Sequence, residues 1–353
     1  MKALIAMSGG VDSSVAALLM LERGCACVGC TMKLYDNEDA GLPPERSCCS
    51  LDDVEDAWSV AHRMGIPHYT FNYKDEFRHQ VMHAFFSAYE AGRTPNPCVD
   101  CNRYLKFGCL LQRAKELGCE LLVTGHYVRT FQREGQFYLR KALDGNKDQS
   151  YFLYMLSQEQ LRHTCFPLGE LTKGEVRAIA ESRGFVNAKK PDSQDICFVP
   201  DGDYAAVLER HTGNKPRPGP FLDLEGHVLG THRGIIHYTV GQRRGLGLSF
   251  DQPYYVIRID AAANAVVLGP KDALFSDTVL VPSFHWISGQ APEGPIRCQA
   301  KIRYRHPEQP ATLTPLPSGG ARIVFDEPQR AITPGQSAVA YDGDIVLGGG
   351  EIG

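Results

Sequence analysis

The chain has 353 residues, of which 22% are charged and 43% hydrophobic, with a formal net charge of −4. It is too long for one ordinary core, so two or three domains are expected. No apolar run approaches the ~18–20 residues of a membrane span, and the mild acidity counts against a surface coated in basic charge for nucleic acid. Basic pairs such as Arg103/Lys106, Lys189/Lys190 and Arg243/Arg244 each read, taken singly, as solvated surface.

Lys2–Met7 reads as a buried strand that runs at once into glycines, too short for a signal peptide, and the cytoplasm is the expected compartment. In that compartment the twelve cysteines should be mostly reduced. Ser8-Gly9-Gly10 forms a turn, and Val11–Glu22 has apolar residues at helical spacing up to Gly24. Cys27–Leu34 is a second expected strand. Asp52–Met64 is helical, His68–Asn72 a strand, and Lys74–Ala91 a long helix ending before Thr94-Pro95-Asn96-Pro97. Asn102–Leu117 is another helix, and Glu120–Thr124 a strand leading into Gly125-His126-Tyr127. This alternation predicts an α/β fold whose parallel sheet carries helices on both faces.

After about Pro200 glycine and proline become dense and helical periodicity fades. Tyr254–Ile259 and Ala265–Leu268 read as paired strands, and short alternating runs recur from Arg297 to Leu347, with a hairpin signal at Asp342-Gly343. The expected division is a nucleotide-binding catalytic domain over 1–204, a small β domain over 205–272 and a C-terminal β-barrel over 273–353.

The strongest motif is Ser8-Gly9-Gly10-Val11-Asp12-Ser13-Ser14, between strand and helix. Glycines let backbone N–H groups converge on one point, and a helix N-terminus adds partial positive charge, which together suit phosphate. A Walker A loop is excluded, because no lysine follows the second glycine. Without it, Mg²⁺ is expected to neutralise phosphate charge, with Asp12 as a ligand or one step behind one. The loop resembles that of the PP-loop ATP pyrophosphatases, which cleave ATP between the α and β phosphates and transfer AMP to an oxygen. The resemblance implies that Ala6, Met7, Ser8, Gly9, Gly10, Val11, Asp12 and Ser13 line ATP, flanked by Met32 and Gly125. An ordinary Gly-rich turn is the bland alternative.

Three cysteines stand in polar settings: Cys98 and Cys101 after Thr94-Pro95-Asn96-Pro97, and Cys197 after Asp192-Ser193-Gln194-Asp195-Ile196. Cys101 is expected at or beside the start of the following helix, where the helix terminus favours a thiolate. Cys25, Cys27, Cys30, Cys109, Cys119, Cys165 and Cys298 read as small buried hydrophobes, and Cys48-Cys49 is ambiguous.

Taken in order, Ser8–Ser14, Thr94–Asn102, Thr124–Tyr127, Asn146–Leu153, Asp192–Phe198, Gly241–Gly247 and Thr333–Gln336 resemble the tRNA-specific 2-thiouridylases, and the match runs through the whole chain. The resemblance implies adenylation of C2–O2 of uridine 34 in Lys-, Glu- and Gln-type tRNAs. It implies a persulfide on Cys197, loaded by a donor protein, and Cys101 as the nucleophile that resolves it, leaving a Cys101–Cys197 disulfide. It also implies tRNA contacts at Asn96, Pro97, Cys98, His126, Lys147, Asp148, Gln149, Arg303, Tyr304 and Gln336. Members of the family commonly carry Asp where this chain has Cys98, which leaves the acid/base role to Asp100 or to no residue. The three thiols Cys98, Cys101 and Cys197 also suit a [4Fe–4S] cluster with one open iron, or zinc. An amide-forming ATP pyrophosphatase and a non-catalytic RNA-binding module stay open as rival functions.

Overall fold

The computed structural model describes residues 1–36, 51–192, 196–199, 202–213 and 215–353. Cys48-Cys49 and Ser193-Gln194-Asp195 lie outside the described residues. Five parallel strands form the first sheet: β1 (Lys2–Ala6), β2 (Ala26–Lys33), β3 (His68–Asn72), β4 (Leu121–Val123) and, further along, β7 (Thr164–Cys165). Their order is β3-β2-β1-β4-β7. The chain steps from β1 outward to β3, then returns to the other side of β1 with β4. That reversal opens a crevice at the carboxyl end of β1, where ligands bind in open α/β sheets.

Helices cover both faces. They are α1 (Val11–Glu22), α2 (Leu51–Arg63), α3 (residues 74–90), α4 (residues 97–116), α5 (Gln158–Arg162) and α6 (Lys173–Ser182). Alternate residues of β1 show why: Leu4 packs with Phe77, Phe85, Leu105 and Phe107, whereas Ala3 and Ile5 pack with Val15, Ala16 and Val60. A strand buried on both sides reads as a continuous apolar run, which matches Lys2–Met7. Both α3 and α4 contain a π-helical stretch, Arg78–Met82 and Cys101–Leu110 respectively.

One boundary needs correction. The helix expected from Asn102 begins five residues earlier, at Pro97. Asn96 caps it, its Oδ1 accepting the Cys98 N–H at 3.2 Å, and Pro97 fills the first helical position, where proline's missing N–H costs nothing.

β5 (Val128–Arg133) and β6 (Gln136–Lys141) form a hairpin turned by Glu134 and Gly135, both at positive φ. The hairpin leaves the first sheet and joins the last one, pairing Arg140 with Ile345. A helix, α7 (Tyr204–Thr212), precedes a four-stranded sheet of β8 (Gly219–Leu222), β9 (Val228–His232), β10 (Tyr255–Asp260) and β11 (Ala265–Gly269).

The C-terminal barrel comprises β12 (Phe275–Val281), β13 (His285–Trp286), β14 (Ile296–Lys301), β15 (Gln309–Pro315), β16 (Ala321–Arg330), β17 (Ser337–Asp342) and β18 (Ile345–Glu351). Its order is β12-β16-β15-β14-β17-β18-β6-β5, with β13 on β18. Ala321, Ile323 and Phe325 alternate inward with Val281, Leu313 and Ala340 around a separate apolar core. Among the described residues no helix is long and apolar enough to cross a membrane.

Candidate active site

The loop after β1 is tied down by short bonds. The Ser13 hydroxyl donates to the Gly10 carbonyl (3.0 Å) and accepts the Ser8 N–H (3.2 Å), and Ser14 Oγ also donates to Gly10 (3.1 Å). Gly9 has φ +75°, and a Cβ there would stand 2.4 Å from the Asp53 carbonyl oxygen, so only glycine fits between loop and α2. Gly125, past the end of β4, approaches from the other side: its Cβ would lie 2.8 Å from the Ser13 nitrogen. The N–H groups of the first turn of a helix such as α1 lack acceptors within it, which is the feature phosphate capture uses. Ala6 and Met32 are half-buried, Met7 and Val11 are buried, and Met32 lies opposite Phe71 in the sheet.

Asp12 is held by two partners. The Lys173 ammonium reaches both of its oxygens, at 2.7 and 2.8 Å, and the Tyr127 hydroxyl donates to one at 2.7 Å. A carboxylate so occupied does not fit a direct Mg²⁺ ligand. Lys173 also pairs with Asp192 (2.8 Å), which takes Lys147 (2.7 Å) and Arg177 (3.1 Å) as well. Burial alone would push the Asp192 carboxyl up, but hydrogen bonds from Lys147 and Lys173 hold it down at about 2.

This network belongs to the stretch that leads to Cys197. Asn187 is buried and donates from Nδ2 to the Gly9 carbonyl and to Ser14 Oγ, each at 2.9 Å. Lys190 bridges Asp53 and Asp56 at 2.6 Å, beside the same loop. Residues 187–192 therefore bond to the nucleotide loop directly through Asn187, to the adjoining α2 through Lys190, and to Asp12 by way of Lys173 through Asp192, which lies five residues before the thiol. Beyond it, the Tyr35 hydroxyl donates to the Cys197 carbonyl at 2.7 Å, and Phe198 is wedged against Phe77 and Phe85 of α3. Cys197 thus sits beyond the carboxyl end of β2, on the crevice side of the sheet.

Cys101 and Cys197 are half-buried and pack against the same apolar cluster, while Cys98 is exposed. The earlier start of α4 moves the helix-terminal position from Cys101 to Cys98, with Cys101 one turn further in. The other described thiols behave as packing groups: burial pushes Cys27 and Cys298 up to about 11, and raises Cys30, Cys109, Cys119 and Cys165. Among the described residues the one acid/His/Cys group with the spacing of a single bound ion is Asp223, Glu225 and His227 in the small β domain.

Asp100 faces the barrel. It lines a cavity of about 190 Å³ with Arg103, Tyr154, His285, Ser337 and Glu351. Burial pushes its carboxyl up to about 6, against the pull of Arg103. The Asn96–Cys98 segment is held by the barrel too: Gln336 Nε2 donates to the Thr94 carbonyl at 2.8 Å, the Thr94 N–H donates to Pro334, and Arg93 pairs with Glu351.

The remaining expected RNA-contact residues divide by exposure. Lys147 reaches the surface, whereas Asp148 is buried and accepts from the Ala142 N–H (3.0 Å) and the Ser150 hydroxyl (2.7 Å). Gln149 Oε1 accepts the Tyr127 N–H at 2.9 Å. His126 is buried between Phe107 and Phe166, and its Nδ1 lies 2.7 Å from Thr124 Oγ1. Burial first, then Lys106, keeps that imidazole well below its ordinary range, so it is neutral. Arg303 donates to the Arg330 and Ala331 carbonyls, and the Tyr304 ring lies 4.4 Å from Phe152.

Lys173 and Asn187 carry no role in the sequence analysis, and Lys190, read there as solvated surface, is instead paired with Asp53 and Asp56. The one local signal was the capping box Thr172/Glu175, which announces a helix start at Lys173.

Comparison with known proteins places this site in a family. Models described as the tRNA methyl transferase HUP domain, the tRNA methyl transferase PRC-barrel domain and the aminomethyltransferase beta-barrel domain match residues 1–201, 205–270 and 276–352. The chain is 49% identical over 354 aligned residues to the tRNA-specific 2-thiouridylase MnmA of Acetivibrio thermocellus, covering 99% of each. It is 47% identical to that of Halothermothrix orenii, over 99% of this chain and 98% of the other. A solved 4-thiouridine synthetase–RNA complex with bound ATP aligns over 60% of this chain and 53% of its own, at 18% identity and a TM-score of 0.37. With identity near one half along its whole length, the chain belongs to the tRNA-specific 2-thiouridylase MnmA family.

Proposed function

We propose that the protein converts uridine 34 of Lys-, Glu- and Gln-type tRNAs to 2-thiouridine in the cytoplasm, using ATP with Mg²⁺ and a persulfide from a donor protein. The observation that carries this reading is the fastening of residues 187–192 to the nucleotide loop, because it brings the approach to Cys197 beside the phosphate cradle. An amide-forming ligase has no use for the thiols of Cys101 and Cys197.

The chemistry runs in three steps. C2–O2 of the uridine attacks the α-phosphate, the α–β bond breaks and pyrophosphate leaves, turning a poor leaving oxygen into AMP. The terminal sulfur of a Cys197 persulfide attacks C2 and AMP departs. The Cys101 thiolate then attacks Cys197 Sγ; the sulfur–sulfur bond breaks, its electron pair goes to the sulfur on C2, and a Cys101–Cys197 disulfide remains for an external thiol to reduce.

Asn96, Pro97 and Cys98 surround the target base, which must be drawn out of its stack. Lys147, Gln149, Arg303 and Tyr304 meet the RNA, while buried His126 and Asp148 shape the surface those residues form, and Gln336 holds the Asn96 segment in place. The chain divides near residues 204 and 272 into catalytic, small β and barrel domains.

A second reading has one favouring observation: Cys98 is exposed one helical turn from Cys101, on the same face of α4. Cys98, Cys101 and Cys197 form a three-thiolate donor set that would hold a [4Fe–4S] cluster, which supplies an open iron to carry sulfide. The deciding experiment is thiolation of uridine-34 tRNA by anaerobically purified protein with ATP, followed by nucleoside mass spectrometry. A persulfide donor should suffice for cluster-free protein. Product formed only with sulfide and a reconstituted cluster would favour the second reading, and no 2-thiouridine under either condition would defeat both.

A further inference from the structure

The loop at residues 8–14 contains no lysine, yet a lysine is bonded to it from 161 positions away. Lys173 is the first residue of α6, a helix that packs along α1, and a capping box from Thr172 to Glu175 fixes where that helix begins. The Lys173 side chain is only 11% exposed. Its ammonium is held at 2.7 and 2.8 Å by Asp12 and at 2.8 Å by Asp192, and it lies 5.8 Å from the centre of the Tyr127 ring.

Two features of this arrangement point outward from structure to ligand. Asp192 keeps two other cations, Lys147 and Arg177, so it does not depend on Lys173. Asp12 lies in the first turn of α1, where N–H groups gather at the phosphate cradle, and a bare carboxylate there would repel a polyphosphate. A buried ammonium with three donors, each already directed at an anion beside the cradle, can exchange one carboxylate oxygen for a phosphate oxygen without leaving its place.

We propose that Lys173 is a nucleotide-binding residue that supplies, from the start of α6, the cation the loop lacks, and that its ammonium exchanges one Asp12 oxygen for an oxygen of the ATP polyphosphate when nucleotide binds while keeping its bond to the other. The assignment rests on the reading that ATP occupies the loop. It makes Lys173 selective for phosphate charge rather than for adenine or ribose.

The test uses full-length protein and two ligands, radiolabelled ATP by equilibrium dialysis and adenosine by competition. Lys173→Gln should raise the ATP Kd at least tenfold, leave the adenosine constant within about twofold, and keep the thermal midpoint close to that of the parent. Lys173→Arg should bring ATP binding back to within about threefold, and it carries the test if the Gln variant does not fold, with an unchanged ATP-to-adenosine selectivity expected. Unaltered ATP binding by Lys173→Gln overturns the assignment. So does an equal loss of ATP and adenosine, which marks a loop-shaping role. If the unsubstituted protein binds no ATP, the nucleotide reading of the loop fails before Lys173 is tested.

Discussion

The parallel sheet and the C-terminal barrel use polar side chains in opposite ways. At the carboxyl ends of β1, β2 and β4 they reach across the sequence: Asn187 to Gly9, Lys173 to Asp12, Lys190 to Asp53 and Tyr35 to Cys197. In the barrel they are spent on nearby backbone or on bracing, as with Arg303 on Arg330 and Ala331 and Gln336 on Thr94. A parallel sheet leaves its strand ends open, so distant segments must converge there to complete a site. An antiparallel barrel pairs its own backbone, and its edge is free to buttress the Arg93–Cys98 segment. On the proposed mechanism chemistry concentrates in the sheet and positioning in the barrel, and substitutions should separate the two.

The largest expected effect is at the thiols. Cys101→Ser and Cys197→Ser should each lower 2-thiouridine formation by about 10³-fold or more, with ATP affinity within twofold of the parent, because each removes a bond-forming atom rather than a binding contact. Loss of ATP binding in either variant would break the division between sulfur chemistry and nucleotide cradle.

Next comes Gly9→Ala. The new Cβ meets the Asp53 backbone and the residue must hold a positive φ, so the loop and α2 must part. ATP affinity should fall by about tenfold or more, and stability by roughly 1–3 kcal/mol. Equilibrium dialysis and denaturant melts measure the two.

Asp100, where sheet and barrel meet, gives a pH signature. Its carboxyl is raised from 3.8 to about 6 by burial, so between those values the folded chain keeps a proton the unfolded chain gives up. Stability from this residue is therefore complete below about pH 4 and is lost as pH rises through about 6, costing about 3 kcal/mol at neutrality. Asp100→Asn should melt higher than the parent at pH 7 and lose the decline between pH 4 and 6. Equal pH dependence of stability in the parent and Asp100→Asn between pH 4 and 6 would contradict the assignment.

The smallest effect is expected in the barrel. Gln336→Ala removes the hydrogen bond to Thr94 and should cost about 1 kcal/mol, with a few-fold rise in KM for tRNA and little change in ATP binding. An effect on the ATP Kd would blur the contrast between the two regions.

What could be read in advance follows the same contrast. The glycine turn at Ser8–Ser14, the β-α alternation and the Asp342-Gly343 hairpin are local patterns, and the structure contains them. The start of α4 was misplaced because Thr94-Pro95-Asn96-Pro97 reads as rigid loop, although an Asn followed by Pro is also a cap followed by a first helical residue. The β5–β6 hairpin carries a turn signal at Glu134-Gly135, but nothing local shows that it would join a sheet two hundred residues later. Lys173, Asn187 and Lys190 have ordinary neighbours in sequence. Their roles exist only once the chain folds back on the loop, and no spacing rule reaches 137 to 178 positions.

The most direct test of the central claim is a single turnover. Protein carrying a persulfide on Cys197 is mixed with ATP and uridine-34 tRNA, quenched, digested without reductant and mapped by mass spectrometry. A peptide pair joined through Cys101 and Cys197 should appear in step with 2-thiouridine. Product formed with no such link, both thiols remaining reduced, would contradict the account.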